Sequence, residues 1–146
     1  MRAINHLSGC EAAYIAGIID GEGTITLTRN HRGENRRPVV SISSTELPLL
    51  LYVRRVIGAG RITGKARTRG YHSPSFAYCL SSRQALALLG QVSHYLRTYK
   101  SQRADLLLSE YLRVTPRNGR YTSKQRFEKQ AFEARFFALS MRAKAS

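Results

Sequence analysis

The sequence has no tryptophan, only two cysteines and four prolines, and just nine acidic residues among its 146. Cys10 and Cys79 lie far apart and outside any Cys-x-x-Cys pair, so neither a zinc site nor a disulfide framework is indicated. We expect both to be small core residues of a protein in a reducing, intracellular compartment. No apolar run approaches the roughly 20 residues of a membrane span, so no membrane partner is predicted.

Positive charge, in contrast, is abundant. The chain carries 24 Lys and Arg against nine Asp and Glu, which gives a formal charge of +15 and a pI of 10.7. Its length corresponds to one ordinary domain, and an apolar fraction of 42% excludes disorder as the default. Charge of this size predicts an anionic polymer as the partner, but it indicates no particular chemistry.

Residue patterns predict an α+β domain with the element order α-ββ-α-ββ-α-α-α. The capping box of Ser8 and Glu11 begins the first helix, and Thr45 and Ser82 are the expected N-caps of later helices. We expect the helices to lie on one face of the sheet and to leave the other face open. The predicted helices cover about 9–20, 47–57, 83–94, 102–114 and 124–142, the last with Phe127, Ala131, Phe132, Phe136 and Leu139; the strands cover about 24–28, 37–44, 60–69 and 76–80.

The open sheet face is predicted to be polar and cationic, without a carboxylate. A major groove about 12 Å wide admits a two-stranded ribbon, and Arg, Asn and Thr suit base edges and phosphates. The alternative is an ordinary solvated edge. The predicted DNA-binding residues are Thr24, Thr26, Thr28, Asn30, Arg32, Arg37, Val39, Ser41, Arg61, Thr63, Lys65, Arg67 and Arg69.

Two acids, Asp20 and Glu22, interrupt this basic surface where the first helix meets the first strand. Carboxylates there would repel phosphate unless a divalent cation stood between them, and Mg²⁺ with its waters suits such oxygen ligands. On chemistry alone, two acids that only cap turns are an equally good interpretation.

The stretch around these acids resembles the signature of LAGLIDADG homing endonucleases, in the variant with Gly between the acids and Glu as the second one. Residues 57–62 and 96–104 resemble two further segments of that family, so the likeness covers about 9–112. It implies an αββαββα core with a four-stranded antiparallel DNA-binding saddle, helices on the opposite face and extra C-terminal helices. We expect a single endonuclease domain over 1–116 and a basic helical extension over 117–146. The signature reads Ile15-Ala16-Gly17-Ile18-Ile19-Asp20-Gly21-Glu22-Gly23.

The resemblance also implies roles for individual residues. Glu22 would be the metal ligand and a catalytic residue, Gly21 would lend a backbone carbonyl, and Asp20 would brace the helix end. Lys100 would lie near the scissile phosphate, and Ser44 would stand where the family often has glutamine. The second basic residue is left open among Arg54, Arg55 and Arg103. The implied cofactor is Mg²⁺ or Mn²⁺, with Ca²⁺ binding without supporting cleavage.

A single copy of the motif implies a homodimer, because the motif helices of two halves pack together in this family and small residues permit close approach. The predicted interface residues are Gly9, Ala13, Ala16 and Gly17. The expected substrate is a long, pseudo-palindromic DNA duplex that is cut on both strands by an intron-encoded enzyme. We expect it in the host cytoplasm or nucleoid, or in a chloroplast or mitochondrion. The alternative is a non-catalytic nucleic-acid binder of the same fold, an intron RNA maturase or a transcription regulator.

Overall fold

The computed structural model describes residues 3–65 and 74–141, and within them the predicted element order is confirmed. A short 3₁₀ turn at Ser93–Tyr95 separates the third and fourth helices. The elements are α1 (Gly9–Glu22), β1 (Gly23–Thr28), β2 (Arg37–Ser44), α2 (Leu47–Ile57), β3 (Arg61–Lys65), β4 (Ser75–Ser81), α3 (Ser82–Val92), α4 (Lys100–Glu110) and α5 (Ser123–Ala138).

The four strands form one antiparallel sheet in the order β1-β2-β4-β3. Ile25 pairs with Val40, and Val40 pairs with Leu80 across the next strand. These side chains are buried on the face that α1, α2 and α3 cover, so the core lies on one side of the sheet. The α+β prediction with helices on one face is therefore confirmed.

Helix α1 begins as predicted but ends two residues later. Ser8 and Glu11 form both bonds of the capping box. The helix continues through Asp20 and Gly21 to Glu22, so the predicted end at about residue 20 is too early. Gly23 is required by space rather than by backbone angle: a Cβ there would lie 2.7 Å from the Cα of Ile19. The strand can therefore start directly against the helix end.

The starts of α2 and α3 differ from the predicted caps. The N-cap of α2 is Glu46 rather than Thr45, and the Ser44 hydroxyl accepts a hydrogen bond from the Glu46 N–H at 2.9 Å. The N-cap of α3 is Ser81, so Ser82 is already helical. The end of α2 is as predicted, because Gly58 adopts a left-handed φ of 81° that a side chain would disfavour.

The C-terminal helices are shifted relative to the predicted bounds. Helix α4 starts at Lys100, two residues early, and α5 ends at Ala138. Phe132 and Phe136 join the common core, whereas Phe127 is 73% exposed. The apolar face predicted for this helix is therefore only partly right, because α5 contacts the rest of the protein along a narrow stripe. Within residues 3–65 and 74–141, no helix has the length and hydropathy required to cross a membrane.

Candidate nucleic-acid interface

The sheet face away from the helices forms a groove of about 670 Å³. The strand register aligns Thr24, Ser41, Cys79 and Arg61 in one row across all four strands. Seven predicted DNA-binding residues line the groove, and it contains cations, hydroxyls and amides but no carboxylate. They are Thr26, Thr28, Asn30, Arg37, Val39, Ser41 and Arg61.

The other predicted DNA-binding residues lie around this groove or beyond the described chain. Thr24 and Thr63 are exposed on the same face, and Arg32 is exposed in the turn between β1 and β2. Lys65 pairs with Ser75 at the end of β3. The predicted contacts at Arg67 and Arg69 lie outside the described residues.

Besides Gly60 and Leu80, three groove residues were missed by the sequence analysis: Cys79, Ser81 and Gln84. The first two follow from alternation, since Tyr78 and Leu80 face inward and their neighbours must face outward. The expectation of two core cysteines is wrong, because Cys79 lines the groove and Cys10 is exposed on α1.

Arg37 is the most constrained cation of the groove. Its Nη2 donates to Asn30 Oδ1 at 3.3 Å, so residues on either side of the hairpin turn hold each other in place. Its Nε is buried and has no hydrogen-bond partner within residues 3–65 and 74–141. Since buried donors are normally paired, Arg37 has hydrogen-bonding capacity left for a ligand in the groove.

Asp20 ties the last turn of α1 to the segment before α4. Its carboxylate accepts bonds from the Arg97 N–H at 2.7 Å, the Thr98 N–H at 3.2 Å and the Thr98 hydroxyl at 2.6 Å. Both carboxylate oxygens are thus engaged by residues 77 and 78 positions away. This geometry agrees with the bracing role that the resemblance implies for Asp20.

Lys100 bonds to the backbone of the same last turn of α1. Its Nζ donates to the carbonyl oxygens of Ile19 at 2.8 Å and Asp20 at 2.9 Å, and its side chain is buried. A cation at a helix C-terminus satisfies carbonyls that have no partner within the helix. Burial lowers the pKa of Lys100, while the charges of Asp20 and Glu22 oppose that shift.

Glu22 differs from Asp20 because its side chain is exposed and its carboxylate makes no hydrogen bond or ion pair with the described residues. Gly21 is also exposed, with open space where a side chain would be. The carboxylate of Glu22 and the carbonyl of Gly21 are hard oxygen donors of the kind that Mg²⁺ accepts. Within the part of the chain described, no three His, Cys, Asp or Glu residues form a metal-binding group. One chain therefore provides part of a site that phosphate and water oxygens could complete.

The candidate second basic residues separate into two groups. Arg103 donates from Nε to the Leu139 carbonyl at 2.6 Å and from Nη1 to the Ile25 carbonyl at 2.9 Å. Its guanidinium also lies over the Phe136 ring, so Arg103 anchors the C-terminal end of α5 and has fewer donors left for the role of second basic residue of the site. Arg54 and Arg55 are exposed on α2, with Arg55 over the Tyr52 ring.

One side of α1 is exposed and nearly free of side chains. Gly9, Ala13 and Gly17 recur along it, and a Cβ at Gly17 would meet nothing within 4 Å. Ala16 was predicted to share this surface, but its side chain is fully buried in the core, although it lies only about 60° around the helix from Ala13. The exposed stripe, with Tyr14 beside it, leaves room for another helix to approach closely.

The family model of the LAGLIDADG-like domain matches residues 9–106. No curated protein matches the chain. Among solved structures, the homing endonuclease I-CvuI in complex with its target is 18% identical, with a TM-score of 0.72, 90% of this chain covered and 83% of that one. The archaeal intron-encoded homing endonuclease I-Vdi141I complexed with DNA has 18% identity, a TM-score of 0.59 and coverages of 90% and 84%. I-SmaMI bound to uncleaved DNA has 21% identity and a TM-score of 0.65, with 92% of this chain but 47% of that chain covered. With the signature helix, the sheet register and the family match in agreement, this chain belongs to the LAGLIDADG-like domain family.

Proposed function

We propose that this chain is a site-specific, intron-encoded homing endonuclease that acts as a homodimer and makes a divalent-metal-dependent double-strand break in a long, pseudo-palindromic DNA site. The observation that carries the proposal is the exposed, unpaired Glu22 carboxylate two residues before Thr24, where the polar sheet face begins. Without a cation, such a carboxylate would repel bound phosphates, so its position favours metal-assisted hydrolysis over binding alone.

The groove has the length and chemistry to contact one half of a DNA site. From Thr24 to Thr28 the strand rises about 3.3 Å per residue, or roughly 13 Å, which spans about four base pairs at about 3.4 Å each. Hydroxyl, amide and guanidinium groups along this path can contact both base edges and phosphates. Two copies related by a two-fold axis would read a pseudo-palindromic site of twice that length.

Glu22 and Gly21 are the residues that would hold the metal, with Mg²⁺ or Mn²⁺ as the proposed ion and Ca²⁺ as an ion that binds without supporting cleavage. Complexes of I-CvuI with DNA were obtained in the presence of Ca or, with the DNA not cleaved, of Mg, which supports the use of a divalent ion. When bound, such an ion activates water and stabilises developing charge on the phosphodiester.

The surrounding residues would position this centre. Asp20 and Lys100 fix the last turn of α1 through their hydrogen bonds, so the exposed Glu22 projects from a rigid base. Lys100 uses two of the three donors of its ammonium, and the third is available to the phosphate. The Ser44 hydroxyl accepts from Glu46 and keeps its own proton to donate, so we assign it to ordering water.

Dimerisation is supported by the exposed stripe of α1 and by the lengths of the related structures. This chain covers 83% of I-CvuI but only 47% of I-SmaMI, so two copies together approximate one of the longer chains. We infer that the α1 helices of two copies pack through Gly9, Ala13 and Gly17, and bring two Glu22 residues near the centre of the DNA site.

The decisive experiment selects cleaved sites from a random duplex library in the presence of Mg²⁺. Glu22→Gln removes the charge at nearly constant size, so we expect cleavage to fall at least about 100-fold while DNA binding changes little. Glu128→Gln, the same change on α5, is the matched control and should cut like the parent protein. Selective binding by parent and variant without cleavage by either would support the non-catalytic alternative instead.

The dimer is tested by the paired substitutions Ala13→Gln and Ala134→Gln. Both alanines are exposed on helices and glutamine is a good helix former, so the monomer fold should be unaffected in each. We expect the dimer dissociation constant, measured by sedimentation, to rise at least about tenfold for Ala13→Gln alone. Equal dissociation constants for the two variants would exclude this face of α1 as the interface.

A further inference from the structure

A second cationic feature lies away from the groove, in a crevice between the β1–β2 hairpin and α5. The crevice has a volume of about 170 Å³. Its wall contains four cations and two acids, which leaves two positive charges in excess. These residues are Arg29, Arg36, Arg126 and Lys129 with Glu34 and Glu133.

Lys129 is the most buried of the four cations, with only 3% of its surface exposed. Its Nζ donates to the Thr115 hydroxyl at 2.5 Å and lies 4.3 Å from the centre of the Tyr111 ring. Within the described part of the chain, one hydroxyl and the faces of two tyrosine rings surround an ammonium that has three donors. Burial lowers the pKa of Lys129 to about 8, and the charge of Glu133 only partly opposes this shift.

The nearby carboxylate does not neutralise this site. Glu133 accepts from Arg36 Nε at 3.2 Å, so its charge is already shared with a guanidinium that also stacks on Phe137. Arg29 and Arg126 are exposed and form no ion pair with residues in the described ranges. A buried lysine and two arginines without ion pairs therefore surround a space whose other carboxylate, Glu34, still leaves two positive charges in excess.

The size of the crevice suits a small oxyanion. At about 30 Å³ for each water molecule, its volume of about 170 Å³ corresponds to roughly six waters, which is room for a tetrahedral group of four oxygens. Arginine and lysine side chains around such a space are the usual phosphate ligands.

We propose that the crevice between the hairpin and α5 binds a phosphate group, in addition to the DNA groove and independently of the cleavage centre. The group can come from the DNA backbone or from a free phosphate ion. Arg29 follows Thr28 on β1, so by strand alternation it lies on the face opposite to the groove residues Thr28 and Asn30. A DNA phosphate reaching the crevice would thus belong to the backbone beside the hairpin.

The site can be tested without any cleavage assay. The ¹⁵N-labelled protein is titrated with sodium phosphate against sodium chloride at constant ionic strength, and amide shifts are followed. We expect saturable shifts at Gly33–Arg36 and along α5, and an affinity about tenfold weaker or more in Lys129→Met and in Arg126→Gln. Arg126 is exposed, so its variant keeps the fold even if Lys129→Met does not.

Arg120→Gln is the matched control, because Arg120 is an exposed arginine in the loop before α5 and does not line the crevice. It should bind phosphate like the parent protein. Shifts that do not saturate, or equal affinities in Arg126→Gln and Arg120→Gln, would overturn the proposal.

A second titration distinguishes the two sources of phosphate. If the crevice takes a DNA phosphate, saturating mixed-sequence duplex should abolish the phosphate response at Gly33–Arg36. If it takes free phosphate, the response should persist with duplex bound. Either result supports the site, and neither depends on whether the protein cuts DNA, so the proposed nuclease function can fail while this site stands.

Discussion

The two buried lysines of this protein occupy very different surroundings. Lys100, at the end of α1, donates to two backbone carbonyls and lies near the charges of Asp20 and Glu22. Lys129, below the hairpin, has one hydroxyl partner and tyrosine rings, and its nearest acid is bound to Arg36. The first lysine is compensated from within the chain, whereas the second is not, although both are almost fully buried.

This difference indicates different reasons for burying a cation. At the end of α1 the charge of Lys100 stabilises the last helical turn, which carries the proposed catalytic carboxylate of Glu22. Below the hairpin the charge of Lys129 adds little to the stability of the fold, and its desolvation is unfavourable. This pattern is expected where an external anion completes the site.

Removing Lys100 should have the largest effect on stability. Lys100→Met leaves the Ile19 and Asp20 carbonyls without this donor and the Asp20 charge less compensated, and we expect a loss of about 4 kcal/mol in the free energy of unfolding. Lys129→Met should change it by no more than about 1 kcal/mol at pH 7, since a poorly compensated charge is replaced by an apolar side chain. Urea unfolding measures the free energy of unfolding of both variants. Equal losses in Lys100→Met and Lys129→Met would contradict the predicted difference between the two lysines.

Removing the charge of the Asp20 carboxylate should have the next largest effect on the free energy of unfolding. Asp20→Asn keeps one acceptor oxygen but turns an amide N–H₂ toward backbone donors, so we expect a loss of about 3 kcal/mol. Asp105→Asn, an exposed position on α4, is the control and should lie within about 0.5 kcal/mol of the parent protein. A small effect at both positions would mean that the Lys100 bonds alone hold the junction.

Much of the fold could be predicted from local patterns. Alternation of Thr24 to Thr28 identified the inward and outward faces of β1, and the Ser8–Glu11 box located the start of α1, because each depends on neighbours within a few residues. The LAGLIDADG signature then identified the family, and with it the acids and lysine that meet at the α1 end.

The remaining features depend on contacts between distant parts of the chain. The partners of Asp20 lie 77 and 78 residues away, so no local pattern indicates that this acid is fully hydrogen-bonded while Glu22 is free. No local pattern sets Lys129 apart from the other cations of the basic C-terminal extension, because its surroundings come from Thr115 and Tyr111 before α5. Arg103 was a reasonable active-site candidate from its position beside Lys100, yet its side chain points to Ile25 and Leu139.

The smallest of the three differences we predict is a pH dependence specific to Lys129. The pKa of Lys129 is about 8 in the folded protein and returns to its ordinary value of 10.5 on unfolding. Between these values the unfolded chain binds more protons, so the stability of the parent protein should rise with pH, by about 2 kcal/mol from pH 7 to pH 10. The groups facing Lys129 are Glu133, Tyr111 and Tyr121, and burial raises the pKa of both tyrosines, so they stay neutral over most of this range. Lys129→Met is the reference, and the quantity to measure is the difference between parent and variant unfolding free energies at the two pH values. A difference that does not change with pH would mean that Lys129 is as well compensated as Lys100, and the contrast between the two regions would disappear.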